Sequence, residues 1–229
     1  MSKRVAVFGE ALIDLVDQGR ASYAACPGGS PFNVALALAR LGHPVAFFGP
    51  LSQDRFGQQL GAVLDQAGVD LVFNERSGKP SALAIASLVD QEPEYAFYLT
   101  DVADTDVTAA ALVERWPQDL ALFHTGSLAL LPGRAEMTFD LLEHARRQAT
   151  PVSVDLNLRM GAAGDPAAYR EAVMRAASLA DLVKLSAEDL DALFPALPRD
   201  AAVSALRAGM RSAMLVMTDG PRGASAWFA

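Results

Sequence analysis

The chain has 229 residues, 52% of them hydrophobic, which is enough for one large domain or for one domain with a small appendage. Its 19 Lys and Arg against 27 Asp and Glu give a net charge of −8, which argues against a nucleic-acid partner but not against a nucleotide site, because backbone amides can hold phosphates. A single cysteine, Cys26, excludes an internal disulfide, and only three histidines argue against a structural zinc site.

The first predicted element is a strand over residues 4–9, "RVAVFG", whose β-branched and apolar residues suit a strand covered on both faces. The apolar run at the N-terminus is interrupted by Glu10 and Asp14, so this segment makes a poor signal peptide. No uninterrupted apolar stretch is long enough to span a bilayer. We therefore expect a cytoplasmic protein without a membrane partner.

Short apolar runs of the same kind recur and alternate with helical patterns. The runs begin at Pro44, Asp119, Pro151, Asp181 and Ala213. One helix is predicted to end at Gly68, a second to cover residues 133–148, and a third to follow a cap at Asp165 with Pro166 at its first position. The alternation predicts an α/β fold with a mostly parallel sheet, in which ligands bind beyond the carboxyl ends of the strands.

One region breaks this alternation. Residues 81–100, "SALAIASLVDQEPEYAFYLT", contain two strand patterns with no helix between them, and we predict a hairpin with a turn at Gln91 to Pro93. Residues 11–25 are also not helical in pattern and are candidates for pairing with this hairpin. A small β appendage beside an α/β core is a natural lid.

The stretch "CPGGSPFNVALALARLG" combines a helix start with two glycines. Ser30 is predicted to cap the helix and Gly42 to end it in a left-handed conformation. Gly28 and Gly29 add nothing to such a cap, but they would let the backbone approach a ligand closely, and Asn33 can both donate and accept hydrogen bonds, as a polyol requires. From these residues alone, a ligand site and simple turn geometry are both open.

This stretch resembles the first signature of the ribokinase-like (PfkB) carbohydrate kinases, in which two glycines precede an asparagine, a small residue and a later glycine. Further resemblances follow in the family's order: "VFGEALIDLV" at the first strand, "VSVDLNLR" over 152–159, "DLVKLSAEDL" over 181–190 and "VMTDGPRG" over 216–223. The resemblance covers essentially residues 1–229. It implies a ribokinase-like fold, a Rossmann-like, mostly parallel sheet with helices on both faces, and a small β lid from about 11–25 and 81–100.

The resemblance implies a sugar-binding role for Asp14 together with Gly28, Gly29 and Asn33; the alternative for Asp14 is a charge on an exposed edge. Two further substrate-binding residues, each with an alternative, are Tyr98, which contacts the sugar or packs the lid, and Asn157, which is otherwise the start of a loop. Arg159 is implied to stabilise the transferring phosphoryl group, unless it is a solvent-facing cation.

A second set of residues is implied to bind ATP and Mg²⁺. Glu188 and Asp189 match the acidic motif that organises magnesium, although after Ser186 they also suit a helix N-terminus. Lys184 is a partner for a nucleotide phosphate or for one of these two carboxylates. The remaining nucleotide-binding residues form a turn that is also a normal β-hairpin connection: Thr218, Gly220 and Gly223.

The implied reaction is transfer of the γ-phosphoryl group of ATP to a hydroxyl of a small sugar, with fructose as first substrate and 2-keto-3-deoxygluconate as second. The family's base is an aspartate in a Gly-Ala-Gly-Asp segment, which this sequence lacks; "GAAGD" at 161–165 comes too early in the order. We therefore expect a chain truncated at its C-terminus, and a non-catalytic sugar- or nucleotide-binding remnant is the alternative. No P-loop or dinucleotide fingerprint is present. The family also suggests a homodimer formed through the lid.

Overall fold

The structure, a computed structural model, describes residues 3–20, 22–71, 76–89, 92–211 and 214–228. It divides into two units, Met1–Asp119 and Leu120–Ala229. Within the described residues, no helix combines the length and the apolar character that crossing a bilayer requires.

The first unit contains eight strands and three helices among its described residues. The strands are β1 (Arg4–Val7), β2 (Leu12–Asp17), β3 (Tyr23–Gly28), β4 (Val45–Phe47), β5 (Leu51–Ser52), β6 (Arg76–Ser77), β7 (Ala82–Val89) and β8 (Glu92–Tyr98). The helices are α1 (Ser30–Arg40), α2 (Arg55–Gln66) and α3 (Ala109–Glu114). Strands β1 and β4 pair in parallel, and so do the short strands β5 and β6.

A four-stranded sheet in the order β3-β2-β7-β8, called the small sheet below, confirms the predicted appendage. Strands β7 and β8 form the expected antiparallel hairpin, and β2 pairs in parallel with β7, with Leu12 opposite Ala82. Pro93 of the predicted turn lies inside β8, whereas Gln91 is outside the described residues. The alternating strand pattern was therefore a sound guide here, although it did not place the turn.

Helix α1 begins differently from the sequence expectation. Its N-cap is Gly29, without a side-chain cap, so the prediction that Ser30 caps the helix was wrong. The backbone N–H of Ser30 instead donates to Oε1 of the buried Glu10, at 3.0 Å. A carboxylate from the turn after β1 thus takes the place of a local cap. The end of the helix is as predicted, because Gly42 has a φ of 82°.

The second unit contains five strands and four helices among its described residues. The strands are β9 (Leu120–Gly126), β10 (Val152–Asp155), β11 (Leu182–Ser186), β12 (Met214–Thr218) and β13 (Ala224–Trp227). The helices are α4 (Ala135–Arg147), α5 (Pro166–Leu179), α6 (Ala187–Leu193) and α7 (Arg199–Gly209). The sheet order is β13-β12-β11-β10-β9; strands β9 to β12 are parallel, as predicted, and β13 runs antiparallel to β12.

Apolar helix faces cover this sheet. Helix α4 buries Phe139 and Leu142, and α5 buries Tyr169 and Val173. The predicted cap at Asp165 is confirmed, since its Oδ1 accepts the N–H groups of residues 167 and 168, both at 3.0 Å. The aspartate of the "GAAGD" stretch therefore has a structural explanation as a helix cap.

The glycines of α2 provide a test of the packing in the first unit. A Cβ atom at Gly57 would overlap the backbone carbonyl of Ser52, whereas one at Gly61 would meet only the end of the flexible Arg76 side chain. Alanine at a helix position normally gains up to about 1 kcal/mol over glycine. We expect Gly57→Ala to lower the free energy of unfolding by about 2 kcal/mol despite this gain, because the backbone contact overpacks.

Gly61→Ala, in the same helix, is the matched control and should leave stability within about 1 kcal/mol of the parent in urea denaturation. Equal stability of the two variants would show that the contact between Gly57 and Ser52 does not constrain the packing of α2.

Candidate active site

Asp14 and the first glycine of the pair lie against each other in the small sheet. In the antiparallel pairing of β2 and β3, Asp14 lies opposite Cys26, and Gly28 lies opposite Leu12. A Cβ atom at Gly28 would overlap Asp14 Oδ2 and lie 3.1 Å from Asp14 Cγ. Only glycine therefore leaves room for the carboxylate at this place. This contact places Asp14 beside the glycine pair, as a shared sugar-binding role requires.

The second glycine joins this corner to the start of α1. Gly29 has a φ of 109°, and a Cβ atom there would lie 2.6 Å from the backbone oxygen of Glu10. Its own carbonyl accepts the N–H of Asn33 at 2.9 Å, and the Asn33 side chain is exposed on the first helical turn. Asp14 thus lies against Gly28, on the strand side of the glycine pair. Asn33 lies on the helix side of the pair. A carboxylate and an amide at a bare backbone can together bind several hydroxyl groups.

Glu10 was not among the predicted site residues. It is 3% exposed, and its carboxylate accepts the N–H at the positive end of α1. The only signal was an acidic residue directly after an apolar strand, in "VFGEAL".

The register of the small sheet separates Tyr98 from Asp14. Asp14 lies opposite Ala84 and Ala84 opposite Phe97, whereas Tyr98 lies opposite Leu83. Because side chains alternate between the faces of a sheet, Phe97 shares the Asp14 face and Tyr98 lies on the other. Tyr98 is 57% exposed, so it is not packed into the first unit either.

In the second unit, polar residues gather on one face of the parallel sheet. Asp155 at the end of β10 lies opposite Lys184 of β11, and the two side chains form an ion pair at 3.2 Å. The sequence alternatives for Lys184 were a phosphate or one of the carboxylates of residues 188 and 189. The second alternative was wrong, because the carboxylate that pairs with Lys184 is that of Asp155. Burial raises the pKa of Asp155 above its ordinary value, although Lys184 opposes this effect. Asp155 Oδ1 is buried without a hydrogen-bond partner among the described residues.

His124 of β9 belongs to the same face. It lies opposite Ser153, and its Nδ1 is 3.1 Å from Ser153 Oγ. Burial, and to a smaller extent the charge of Lys184, lower the pKa of His124 to about 4, so the ring is neutral at physiological pH. Its Nε2 has no hydrogen-bond partner within the described part of the chain. Polar letters inside the strand patterns "LALFHTG" and "VSVDLN" were the signal for this cluster.

The loop after β10 holds two of the predicted site residues. Asn157 has a φ of 36° and donates from Nδ2 to Ser127 Oγ at 3.2 Å. The guanidinium of Arg159 donates to the carbonyl of Leu158 at 3.0 Å, and its backbone N–H donates to the hydroxyl of Tyr169 at 3.2 Å. Both side chains are half-buried in the loop that continues the Asp155 strand.

The acidic pair after β11 divides between two roles. Asp189 and Ser186 form a complete capping box at the start of α6, and Asp189 Oδ1 also accepts the N–H of Leu158 at 2.8 Å. Both Asp189 oxygens are therefore engaged by backbone groups. Glu188 is exposed.

No cluster of three or more metal-ligating side chains occurs in the described parts of the chain. The exposed carboxylate of Glu188 fits a magnesium ion that binds through one carboxylate, phosphate oxygens and water.

The last predicted element is the turn between β12 and β13. Thr218 ends β12 opposite Ser186, and the turn that follows contains Gly220, with a φ of 52°, and Gly223, with a φ of 89°. A Cβ atom at either glycine would meet nothing within 4 Å. The hairpin connection is therefore present, and open space remains beside its backbone. Asp219, which the sequence did not single out, holds the turn through Arg222 and Arg199.

Comparisons with known proteins agree with this geometry. The family model described as "pfkB family carbohydrate kinase" matches residues 2–227. A fructokinase of Rhizobium leguminosarum bv. trifolii is 34% identical over 224 residues, which are 96% of this chain and 68% of that protein.

Two solved structures have the same ribokinase-like α/β fold. Fructokinase from Xylella fastidiosa with bound ATP superposes with a TM-score of 0.89 at 33% identity, over 100% of this chain and 72% of that one. Fructokinase from Vibrio cholerae O395, bound to fructose, ADP and calcium ion, superposes with a TM-score of 0.86 at 29% identity, over 99% and 73%. The expected fold class is thereby confirmed.

The burial of the His124 imidazole predicts that the unfolding free energy depends on pH. The folded state keeps His124 neutral down to about pH 4, whereas the unfolded chain protonates it near the ordinary value of 6.5. Stability is therefore lost as the pH falls from 6.5 to 4. We expect the unfolding free energy of the parent to fall by up to about 3 kcal/mol more than that of His124→Gln over this interval.

Urea denaturation at a series of pH values measures this difference. His43→Gln, at an exposed position, is the control and should follow the parent. Parallel pH profiles for the parent and His124→Gln would contradict the assigned burial of a neutral ring.

Proposed function

Because this chain belongs to the pfkB family of carbohydrate kinases, we propose that it transfers the γ-phosphoryl group of ATP to a hydroxyl group of fructose. Two observations support the substrate and the donor. The relatives compared above are fructokinases, one of them with bound ATP and another with bound fructose and ADP. The strand sequence "FYLTD" carries no arginine to meet the carboxylate of 2-keto-3-deoxygluconate, which favours the uncharged sugar.

The observation that carries the sugar site is the contact between Asp14 and Gly28. The carboxylate occupies the space that any side chain at residue 28 would fill, so this corner is built around an acceptor of hydroxyl protons. In the proposal, Asp14 accepts hydrogen bonds from two sugar hydroxyls and Asn33 binds a third group. The backbone amides at Gly28 and Gly29 line the same corner. Phe97, on the Asp14 face of the small sheet, replaces Tyr98 as the aromatic residue on the sugar side.

The residues that we propose for nucleotide binding lie in the second unit. The backbone of the turn at Gly220 and Gly223 is open to the nucleotide, and Thr218 offers a hydroxyl group beside it. Lys184, already held by Asp155, presents its ammonium group to phosphate oxygens. Asn157 and Arg159 occupy the loop at the end of β10.

The charged groups of the proposed reaction are Arg159, Glu188 and the magnesium ion. Arg159 stabilises the negative charge that develops on the transferring phosphoryl group. Glu188, whose carboxylate is exposed, is the better candidate of the acidic pair for magnesium and its waters, because both oxygens of Asp189 accept backbone N–H groups. Mg²⁺, when bound with ATP, neutralises phosphate charge.

The sugar hydroxyl also needs a base, and we assign none among residues 1–229. In the family pattern this role belongs to the aspartate of the Gly-Ala-Gly-Asp segment.

The small sheet and Cys26 bear on subunit pairing, closure over the sugar and cellular compartment. Tyr23 and Tyr98 are exposed on the face of the small sheet that is opposite to Asp14, which supports pairing of two subunits through this sheet. Closure of the small sheet over the sugar would exclude water and so limit hydrolysis of ATP. The exposed free thiol of Cys26 suits the reducing cytoplasm.

A coupled assay with fructose and ATP, run beside calorimetry, tests the proposed reaction. We expect binding of both ligands by the 229-residue chain. Phosphorylation of fructose should be slower by about 10²- to 10⁴-fold than with a positioned base. Asp14→Asn should abolish measurable fructose binding and leave ATP affinity within about twofold, because the amide accepts fewer hydroxyl protons than the carboxylate. Asp17→Asn, in the same strand but holding its own turn through Gly19, is the matched control.

The outcomes separate the alternatives. Binding of fructose and ATP without turnover would support a non-catalytic remnant. Fructose binding that is unaffected by Asp14→Asn would remove the proposed sugar site, whatever the turnover.

A methyl group at the glycine pair gives a second test of the same corner. Gly28→Ala should displace the Asp14 carboxylate and weaken fructose binding by at least about tenfold, since small misplacements of binding groups are costly. Gly78→Ala, where a Cβ atom meets nothing within 4 Å, should bind fructose as the parent does. Calorimetric titration of both variants makes the comparison, and equal affinities would contradict the proposed role of the close approach.

A further inference from the structure

The carboxylate of Asp54 connects two separate segments of the first unit. It caps α2, because its Oδ1 accepts the N–H of Gly57 at 2.7 Å. The same carboxylate holds Ser81, the residue directly before β7: Oδ2 accepts the Ser81 N–H and Oδ1 accepts the Ser81 hydroxyl, both at 2.8 Å. Capping α2 requires only the first of these contacts.

The surroundings of this carboxylate are fixed by further hydrogen bonds. Ser81 and Ser52 are buried, and the Ser52 hydroxyl accepts the N–H of Asp54 at 2.9 Å while donating to the carbonyl of Lys79 at 2.7 Å. Burial alone would raise the pKa of Asp54, but the hydrogen bonds that its carboxylate accepts from Gly57 and Ser81 hold this pKa below its ordinary value. Asp54 therefore stays charged at neutral pH, which strengthens its contacts with Ser81.

Strand β7 carries this constraint toward the sugar corner. Its first residue, Ala82, lies opposite Leu12, and Ala84 lies opposite Asp14 in the parallel ladder between β7 and β2. Ser81 is only three residues from Ala84, so a shift at the start of β7 is transmitted to the strand that carries Asp14. The exit of the hairpin is tied to the same place, because the N–H of Ala103 donates to the carbonyl of Pro80 at 2.9 Å.

We propose that Asp54 is a positioning residue for sugar binding: by holding Ser81 it fixes the start of β7 and thereby the place of Asp14 beside Gly28. The identity of the sugar rests on the proposed function, whereas the mechanical role of Asp54 does not. Asp54 does not contact the sugar and acts only through β7 and β2.

Asp54→Asn separates positioning from helix capping. Asparagine caps helices about as well as aspartate, but its NH₂ group cannot accept a hydrogen bond, so the paired contact with Ser81 is lost. We expect about tenfold weaker fructose binding by calorimetry, with ATP affinity within about twofold of the parent. Hydrogen exchange at the backbone amides of residues 82–84 should be faster.

Two variants complete the experiment. Asp165→Asn makes the same change at the cap of α5 and should leave fructose affinity unchanged. Ser81→Ala removes only the hydroxyl contact and should give a smaller loss of affinity than Asp54→Asn.

The proposal is overturned if Asp54→Asn binds fructose as the parent does, or if it loses fructose and ATP affinity in equal proportion, as a general loss of stability would cause. If the parent chain binds no fructose, the proposed function fails, and the exchange rates of residues 82–84 then decide alone. Unchanged protection in Asp54→Asn would show that Asp54 does not hold β7.

Discussion

The close approach of the Asp14 carboxylate to the backbone of Gly28 is the contact on which the sugar-binding proposal depends. Two strands bring these residues together, and the lack of a side chain at Gly28 is what leaves room for the carboxylate. The start of α1 follows at once, with Gly29 held against Glu10. The Asp14 carboxylate, a bare backbone and a helix N-terminus capped by Glu10 thus meet at one corner. An uncharged polyol can satisfy such a corner with hydroxyl donors and acceptors.

In the second unit, ionisable side chains are partly or fully buried. The ion pair between Lys184 and Asp155 and the neutral ring of His124 lie on one face of a parallel sheet. Ammonium and carboxylate compensate each other there, whereas the histidine avoids the cost of burial by staying neutral. The open turn at Gly220 and Gly223 follows the neighbouring strand. A cation held in place and an accessible backbone can together bind a polyphosphate.

Local sequence signals were sufficient for much of the fold. Short apolar runs predicted the parallel strands of the second unit, and the Asp165–Pro166 pair predicted the start of α5, because strand burial and helix capping are set by neighbours in the chain. The hairpin of β7 and β8 was predicted for the same reason.

Features set by distant residues were not predictable in this way. Ser30 looked like a cap, but Glu10, twenty positions earlier, supplies the acceptor. Tyr98 was predicted to contact the sugar or to pack the lid, but the register of β2, β7 and β8 places Phe97, and not Tyr98, on the Asp14 face. Sequence spacing does not determine the register between strands, and a shift of one residue exchanges the faces.

The most direct test of the central claim is a fructose titration followed through the carboxyl ¹³C resonances of the aspartates. Binding at the proposed corner predicts that the Asp14 resonance shifts in proportion to fructose occupancy, while that of Asp17, three residues along the same strand, stays in place. Saturation with fructose that leaves the Asp14 resonance unmoved would contradict the account.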